Sequence, residues 1–189
     1  MHKDKLVKLA GQIAGGEENA LHELHILLCD FVFVTALAVS RNRETAEEIV
    51  ADVFIRLWKQ RDALAEVRDL RSYIFIITRN ISLDYRRRQP VVKFYGIDEM
   101  ELPALVVNVT PEDEMISSEM IKRINQAITE LPPRCRLIFT LVKTEGLKHQ
   151  EVAELLDVSI KTVEAQMGIA LKRLYASLHI HIPVPRESK

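Results

Sequence analysis

The residues richest in ligand chemistry lie near the N-terminus. His22, His25 and Cys29 fall at i, i+3 and i+7, so on a helix they share one face, and imidazole with thiolate is a zinc-binding combination. Structural zinc takes four ligands and no obvious fourth follows nearby, which favours a packed or exposed histidine face, and no metal is assigned. The run "HELH" lacks the metalloprotease spacing, which sets two histidines four apart around the glutamate. His179 and His181 sit in a terminal tail. The sequence holds no phosphate-binding glycine loop and no nucleophile motif, so it reads as a non-enzyme without a cofactor. Cys29 and Cys135 are too few for a disulfide framework, which suits a reducing, cytoplasmic location.

A second chemistry is that of polyanion recognition. The stretch "EGLKHQEVAELLDVSIKTVEAQMGIALKRL", Glu145 to Leu174, has the pattern of two short helices joined by a tight turn. Val152, Ala153, Leu155 and Leu156 face inward on the first, Asp157 and Val158 make the turn, and Ser159 caps the second. On that second helix Val163, Ala170, Leu171 and Leu174 pack, leaving Lys161, Thr162, Glu164, Ala165, Gln166 and Ile169 outward. A helix-turn-helix sets such outward N-terminal residues against base edges, and an ordinary helical hairpin is the competing reading.

Charge makes DNA contact a local matter. With 26 Lys and Arg against 27 Asp and Glu, the chain carries a formal charge of -1, so no global basic excess holds it to phosphates. The distribution is uneven: from Arg61 to Arg88 there are seven arginines against four acids, ending in Arg86, Arg87 and Arg88. From Asp98 to Glu119 there are seven acids and neither Lys nor Arg. That acidic stretch contains Pro103 and Pro111, and roughly residues 91–111 read as a linker between two helical domains, 1–90 and 112–182, with 183–189 as a tail.

The elements needed to position these groups are helices throughout. In "RETAEEIVADVFIRLWKQ" the residues Ala46, Ile49, Val50, Val53, Leu57 and Trp58 recur at three and four and predict one buried stripe, with Glu47, Glu48, Asp52 and Arg56 outside or at its edge. In "DLRSYIFIITRNISLDYRRRQ" the stripe is Leu70, Tyr73, Ile74, Ile77 and Ile81, with Arg71, Thr78, Arg79, Ser82, Tyr85 and Arg86 towards the other side and Pro90 as the stop. Residues from about Glu18 to Ser40 are apolar on most sides, as a central core helix would be. The longest apolar run, Phe31 to Val39, is far short of the ~20 residues that cross a bilayer, so no membrane insertion is expected. In the C-terminal half Thr110 can cap and Pro111 open a helix, and "LPPRCRLIFTLV" opens another with proline. The expected fold class is all-α, with two small helical domains; a short apolar run near Leu105 to Val109 is the one place where a strand is conceivable.

Taken in order, "AEEIVADVFIRLW", "LRSYIFIITRNISLDYRRR", "LPPRCRLIF" and "GLKHQEVAELLDVSIKTVEAQMGIALKRL" resemble the small RNA polymerase sigma factors of the extracytoplasmic-function group of the sigma-70 family. The resemblance spans about Gly15 to Leu178. It implies a two-domain specificity subunit, with sigma region 2 before the linker and sigma region 4 after it, that binds core RNA polymerase and directs transcription initiation at promoters. It implies that the helix from Glu47 to Trp58 docks on the clamp coiled coil of the β′ subunit through Glu47, Glu48 and Asp52. Ala51 stands where the family usually has glutamine. It further implies that Leu70 to Arg88 opens the -10 element and holds an unstacked base, with Asn80 near the base pocket and Arg71, Arg79, Arg86, Arg87 and Arg88 on phosphates. An amide suits a base edge because it offers both a donor and an acceptor. Tyr85 could pack against an unstacked base, and Tyr73 could as well were it not on the apolar stripe.

For the -35 element the resemblance points to Ser159, Lys161, Thr162, Glu164 and Gln166, with Lys172 and Arg173 on phosphates. Glu164 can accept from a cytosine amino group. Lys148, Asp157 and Ile169 depart from the usual capping residue, turn glycine and basic residue, and Gly168 costs about 1 kcal/mol of helix propensity. The acidic linker is either a mimic of RNA in the polymerase or a solvated tether. Sigma factors of this group are commonly held by an anti-sigma protein, a further expected partner. A stand-alone helix-turn-helix regulator and a helical metal-sensing or interaction protein are the alternatives.

Overall fold

The computed structural model describes residues 2–88 and 118–178, and among these every regular element is helical. The expected helix opening at Thr110 and Pro111, the linker, the run at Leu105 to Val109 and the tail histidines lie outside the described residues. The chain divides into two compact units, Met1–Gly96 and Ile97–Lys189.

The N-terminal unit comprises α1 (His2–Ala14), α2 (Glu18–Ser40), α3 (Arg43–Lys59), a 3-10 turn (Arg61–Glu66) and α4 (Leu70–Arg88). The apolar composition of α2 has the expected consequence: it packs against α1, α3 and α4 and buries Leu24, Leu28, Phe31, Val32, Val34 and Leu37. By length and composition alone α2 could cross a membrane, but its apolar surface is largely taken up by the helices around it. It ends at Arg41 in the left-handed conformation, φ 53°, and Asn42 starts α3 by accepting from the Thr45 N–H at 2.8 Å. Asp69 starts α4 in the same way, accepting from the Ser72 N–H at 3.1 Å and the Ser72 hydroxyl at 2.9 Å. α1, which the sequence pattern did not single out, seats Leu9, Ala10 and Ile13 on the bundle, mainly against the 3-10 turn.

Two buried faces differ from the expected stripes. On α3, Ile49, Val53 and Leu57 are fully buried as expected, but Phe54 joins them and Trp58 is only half-buried, its ring facing the Arg61 guanidinium at 5.0 Å. On α4, Thr78 and Ser82 are buried rather than outward, and Tyr73 is half-exposed rather than core. The reason is local hydrogen bonding. Thr78 donates to the Ile74 carbonyl at 2.8 Å and Ser82 to the Thr78 carbonyl at 2.7 Å, so neither hydroxyl enters the core unsatisfied. The buried face therefore turns to include Phe75, whose ring centroid lies 6.5 Å from that of Phe31.

The C-terminal unit comprises α5 (Ser118–Thr129), α6 (Pro133–Phe139), a π turn (Thr140–Thr144), α7 (His149–Leu156) and α8 (Ile160–Ser177). Pro133 occupies the first turn of α6, where its missing N–H costs nothing. Leu137, Ile138, Leu141, Val152, Leu156 and Val163 form the core, and α8 packs against α5, α6 and α7.

Candidate nucleic-acid and polymerase interfaces

The helix-turn-helix is built by backbone chemistry that its sequence encodes. Asp157 takes φ 55°, ψ 51°, the left-handed conformation that ends α7, and the Val158 N–H returns to the Ala153 carbonyl at 3.0 Å. Aspartate tolerates this region better than most side chains, which is how the turn manages without glycine. At the start of α7 the Glu151 carboxylate accepts from the Lys148 N–H at 2.7 Å, so half of a capping box survives without a Ser or Thr at the cap. Ser159 caps α8, its Oγ accepting from the Thr162 N–H at 3.1 Å and lying 2.8 Å from Thr162 Oγ1. The Ser159 and Thr162 hydroxyls, both expected at the -35 element, are thus bonded to each other.

Inward on α8 lie Val163, Met167, Ala170 and Leu174. Met167 takes the place expected of Leu171, which is only half-buried, because position 167 sits directly between Val163 and Ala170 on the inner stripe. Lys161, Glu164, Ala165, Ile169, Lys172 and Arg173 are exposed and Thr162 and Gln166 half-exposed, so the outward set is the one read from the pattern. The Gln166 main-chain carbonyl accepts from the Cys135 thiol at 3.3 Å, fixing α8 on α6, and burial pushes that thiol up from its ordinary pKa. Burial likewise pushes the Arg136 guanidinium down; its Nη1 donates to the Thr129 carbonyl at 2.9 Å.

On the N-terminal unit α3 and α4 present adjacent outer faces. Of the three acids expected to meet polymerase, Glu48 is exposed, Glu47 is exposed and paired with Arg43 at 3.0 Å, and Asp52 is half-buried. Asp52 Oδ2 accepts from the Tyr85 hydroxyl at 2.7 Å, joining α3 to α4 across 33 residues of sequence. That bond, helped by burial and by the charges of Asp52 and Glu48 against an opposing Arg88, pushes the Tyr85 phenol up to about 12. Asp52 and Tyr85 line a cleft of about 330 Å³ together with Ile55, Lys59, Ile81 and Arg88.

Along α4, Asn80, Arg86, Arg87 and Arg88 are exposed and Arg71 and Arg79 half-exposed. Arg71 stacks its guanidinium over the Phe31 ring at 4.1 Å, and Arg87 pairs with Asp84 at 3.2 Å. One residue missed by pattern reading belongs here: Ile76, 55% exposed, stands one turn before Asn80. Its signal was an isoleucine off the buried stripe. Around the histidines, His25 packs its ring on Phe54 with centroids 4.6 Å apart, and no group of three potential ligands gathers among the described residues.

One unit with a capped helix-turn-helix whose second helix is polar outward, and a separate helical unit edged with exposed arginines, define the class of a two-domain DNA-binding transcription protein. Sequence comparison makes this specific. The family model for Sigma-70 region 2 matches residues 30–90 and that for Sigma-70, region 4 matches residues 121–174. The chain is 31% identical over 172 residues to the RNA polymerase sigma factor NccH of Alcaligenes xylosoxydans xylosoxydans, covering 90% of this chain and 92% of NccH. It is 24% identical over 163 residues to the ECF RNA polymerase sigma factor SigW of Bacillus subtilis, covering 82% and 87%. Among solved structures it is similar to CnrH in complex with the cytosolic domain of CnrY, at 22% identity and a TM-score of 0.45, covering 94% of this chain and 99% of that one. The chain belongs to the sigma-70 family of RNA polymerase sigma factors, in the extracytoplasmic-function group. It acts in transcription initiation, and a match that extends over both units does not favour a stand-alone regulator.

Proposed function

We propose that the two units divide promoter recognition. Residues 1–90 dock on core polymerase through Glu47, Glu48 and Asp52 and engage the -10 element through α4; residues 112–182 read the -35 element through α8; residues 91–111 are the acidic linker. On α4 the exposed Asn80 meets an unstacked base with Ile76 beside it, Tyr85 meets the strand from another face of the helix, and Arg71, Arg79 and Arg86 to Arg88 hold phosphates. On α8, Lys161, Glu164 and Gln166 face bases, and Ser159, Thr162, Lys172 and Arg173 face the backbone.

The observation that carries this reading is the unequal distribution of exposed cations. On α8 the exposed cations are scattered, Lys161 near its start and Lys172 and Arg173 farther along, whereas α4 ends on three adjacent exposed arginines and carries Arg71 and Arg79 half-exposed besides. Affinity then comes from α4 and from polymerase, and α8 contributes choice of sequence, as linked weak sites do when bound together. The protein is proposed to work as a binding subunit without catalysis of its own, in the cytoplasm, with an anti-sigma protein as a regulatory partner of the kind that its family uses.

Base-preference profiling of holoenzyme tests the division. Lys161→Ala or Gln166→Ala should change preference at the upstream element. Replacing Arg86, Arg87 and Arg88 by Gln should weaken binding across sequences and reduce the salt slope by up to about 2–3, at 0.7–0.9 per lost phosphate contact. Equal changes in sequence preference from both sets would refute it.

A further inference from the structure

We propose that Asp52 is a positioning residue for promoter opening: one of its oxygens fixes the Tyr85 ring for the unstacked strand while the other remains for a cation of core polymerase. This rests on the reading that Asp52 faces polymerase and Tyr85 faces the -10 strand.

The geometry ties together two groups that the function would otherwise treat as separate. Asp52 stands on α3 and Tyr85 on α4, and the 2.7 Å bond from the phenol to Oδ2 is the hydrogen bond that joins these two outer faces. An ionised carboxylate can accept at about four positions, so holding Tyr85 does not exhaust it. Asp52 Oδ1 accepts no hydrogen bond among the described residues, and although Arg56, Lys59 and Arg88 line the same cleft, none is within ion-pair distance of it. The carboxylate thus keeps an open acceptor for a partner's cation. Tyr85 is only half-buried, so part of the side chain remains accessible while its hydroxyl is held. Fixing the ring beforehand removes the ordering cost when the strand arrives, which is how a preformed stacking surface gains over a mobile one. The raised phenol pKa is consistent with a strong, charge-assisted bond.

The test uses full-length protein with core polymerase, reading core affinity with labelled sigma factor and opening rate with a fluorescent base analogue in the -10 element at saturating polymerase. Tyr85→Phe keeps the ring and loses the tether: core affinity should stay the same and opening should slow about ten-fold or more, the worth of one hydrogen bond to a charged group. Asp52→Ala should weaken core binding and, at saturation, slow opening by the same factor. The double variant should open no more slowly than either single one. Multiplying effects, a normal opening rate for Tyr85→Phe, or a loss of core affinity in Tyr85→Phe would overturn the proposal. Tyr85→Ala separates the layers. If it opens promoters normally, the strand contact itself is wrong; if it is slow while Tyr85→Phe is normal, the strand contact stands and the positioning role falls.

Discussion

Ser159 carries two jobs in this account, and substitution can separate them. Its Oγ accepts from the Thr162 N–H at 3.1 Å and lies 2.8 Å from Thr162 Oγ1, at the exposed start of the helix proposed to read the upstream element. Ser159→Ala removes the cap, which costs about 1 kcal/mol, within the usual 0.5–2 kcal/mol for such changes. A helical unit of this size has about 3–9 kcal/mol of stability, so the loss is material and lowers its melting temperature by about 4–8 °C. Ser159→Asp keeps a capping oxygen and adds a charge that the helix N-terminus favours by about 0.3–1 kcal/mol, so stability should match or exceed that of the parent. The same carboxylate faces DNA phosphate, so binding at the upstream element should fall below that of the alanine variant. Calorimetry of the full chain gives the first quantity and promoter competition by holoenzyme gives the second. If both variants lose the same stability, or if Ser159→Asp binds the upstream element as the parent does, the assignment of Ser159 as both cap and phosphate neighbour is refuted.

Other consequences are as direct. Ile74→Ala empties a fully buried site on α4 and should destabilise the N-terminal unit by about 2–5 kcal/mol in chemical denaturation. The Tyr85 phenol, raised to about 12, should give an ultraviolet titration step well above the ordinary value near 10, and Tyr85→Phe should remove that step. Because its folded value lies above the ordinary value near 10, the stability it contributes is complete below about pH 10 and is lost between about pH 10 and 12. Asp52→Asn should bring it back down. Cys135, buried and shifted upward, should resist alkylation at neutral pH in the folded chain and react once the chain is unfolded.

Much of the fold was legible because helical spacing reports burial directly. Ile49, Val53 and Leu57 on α3 and Val152, Ala153, Leu155 and Leu156 on α7 follow that rule, and the αL turn at Asp157 was marked by the residues around it. The errors on α4 arose where polarity misleads: Thr78 and Ser82 satisfy their hydroxyls within the helix and can be buried, while Tyr73 stays half-exposed. Met167 was passed over for Leu171 because both are apolar and one position on the helix decides between them. The candidate contact residues were legible as groups off the buried stripes, exposed or half-exposed, but the Asp52–Tyr85 bond was not, since it joins positions 33 residues apart that only the packing of α3 on α4 brings together. Ile55 and Ile76, 50% and 55% exposed, were hidden for a simpler reason: an apolar side chain off the stripe is silent in a pattern that counts only the stripe.

This chain directs transcription initiation, and its reading as a sigma factor requires that it do so through core polymerase. Run-off transcription on genomic promoter fragments, with core polymerase in the presence and absence of the purified protein, tests it most directly. Specific transcripts are expected only when both are present, with little promoter binding by the protein alone. Tight promoter binding by the free protein, with transcription by core polymerase indifferent to it, would contradict it.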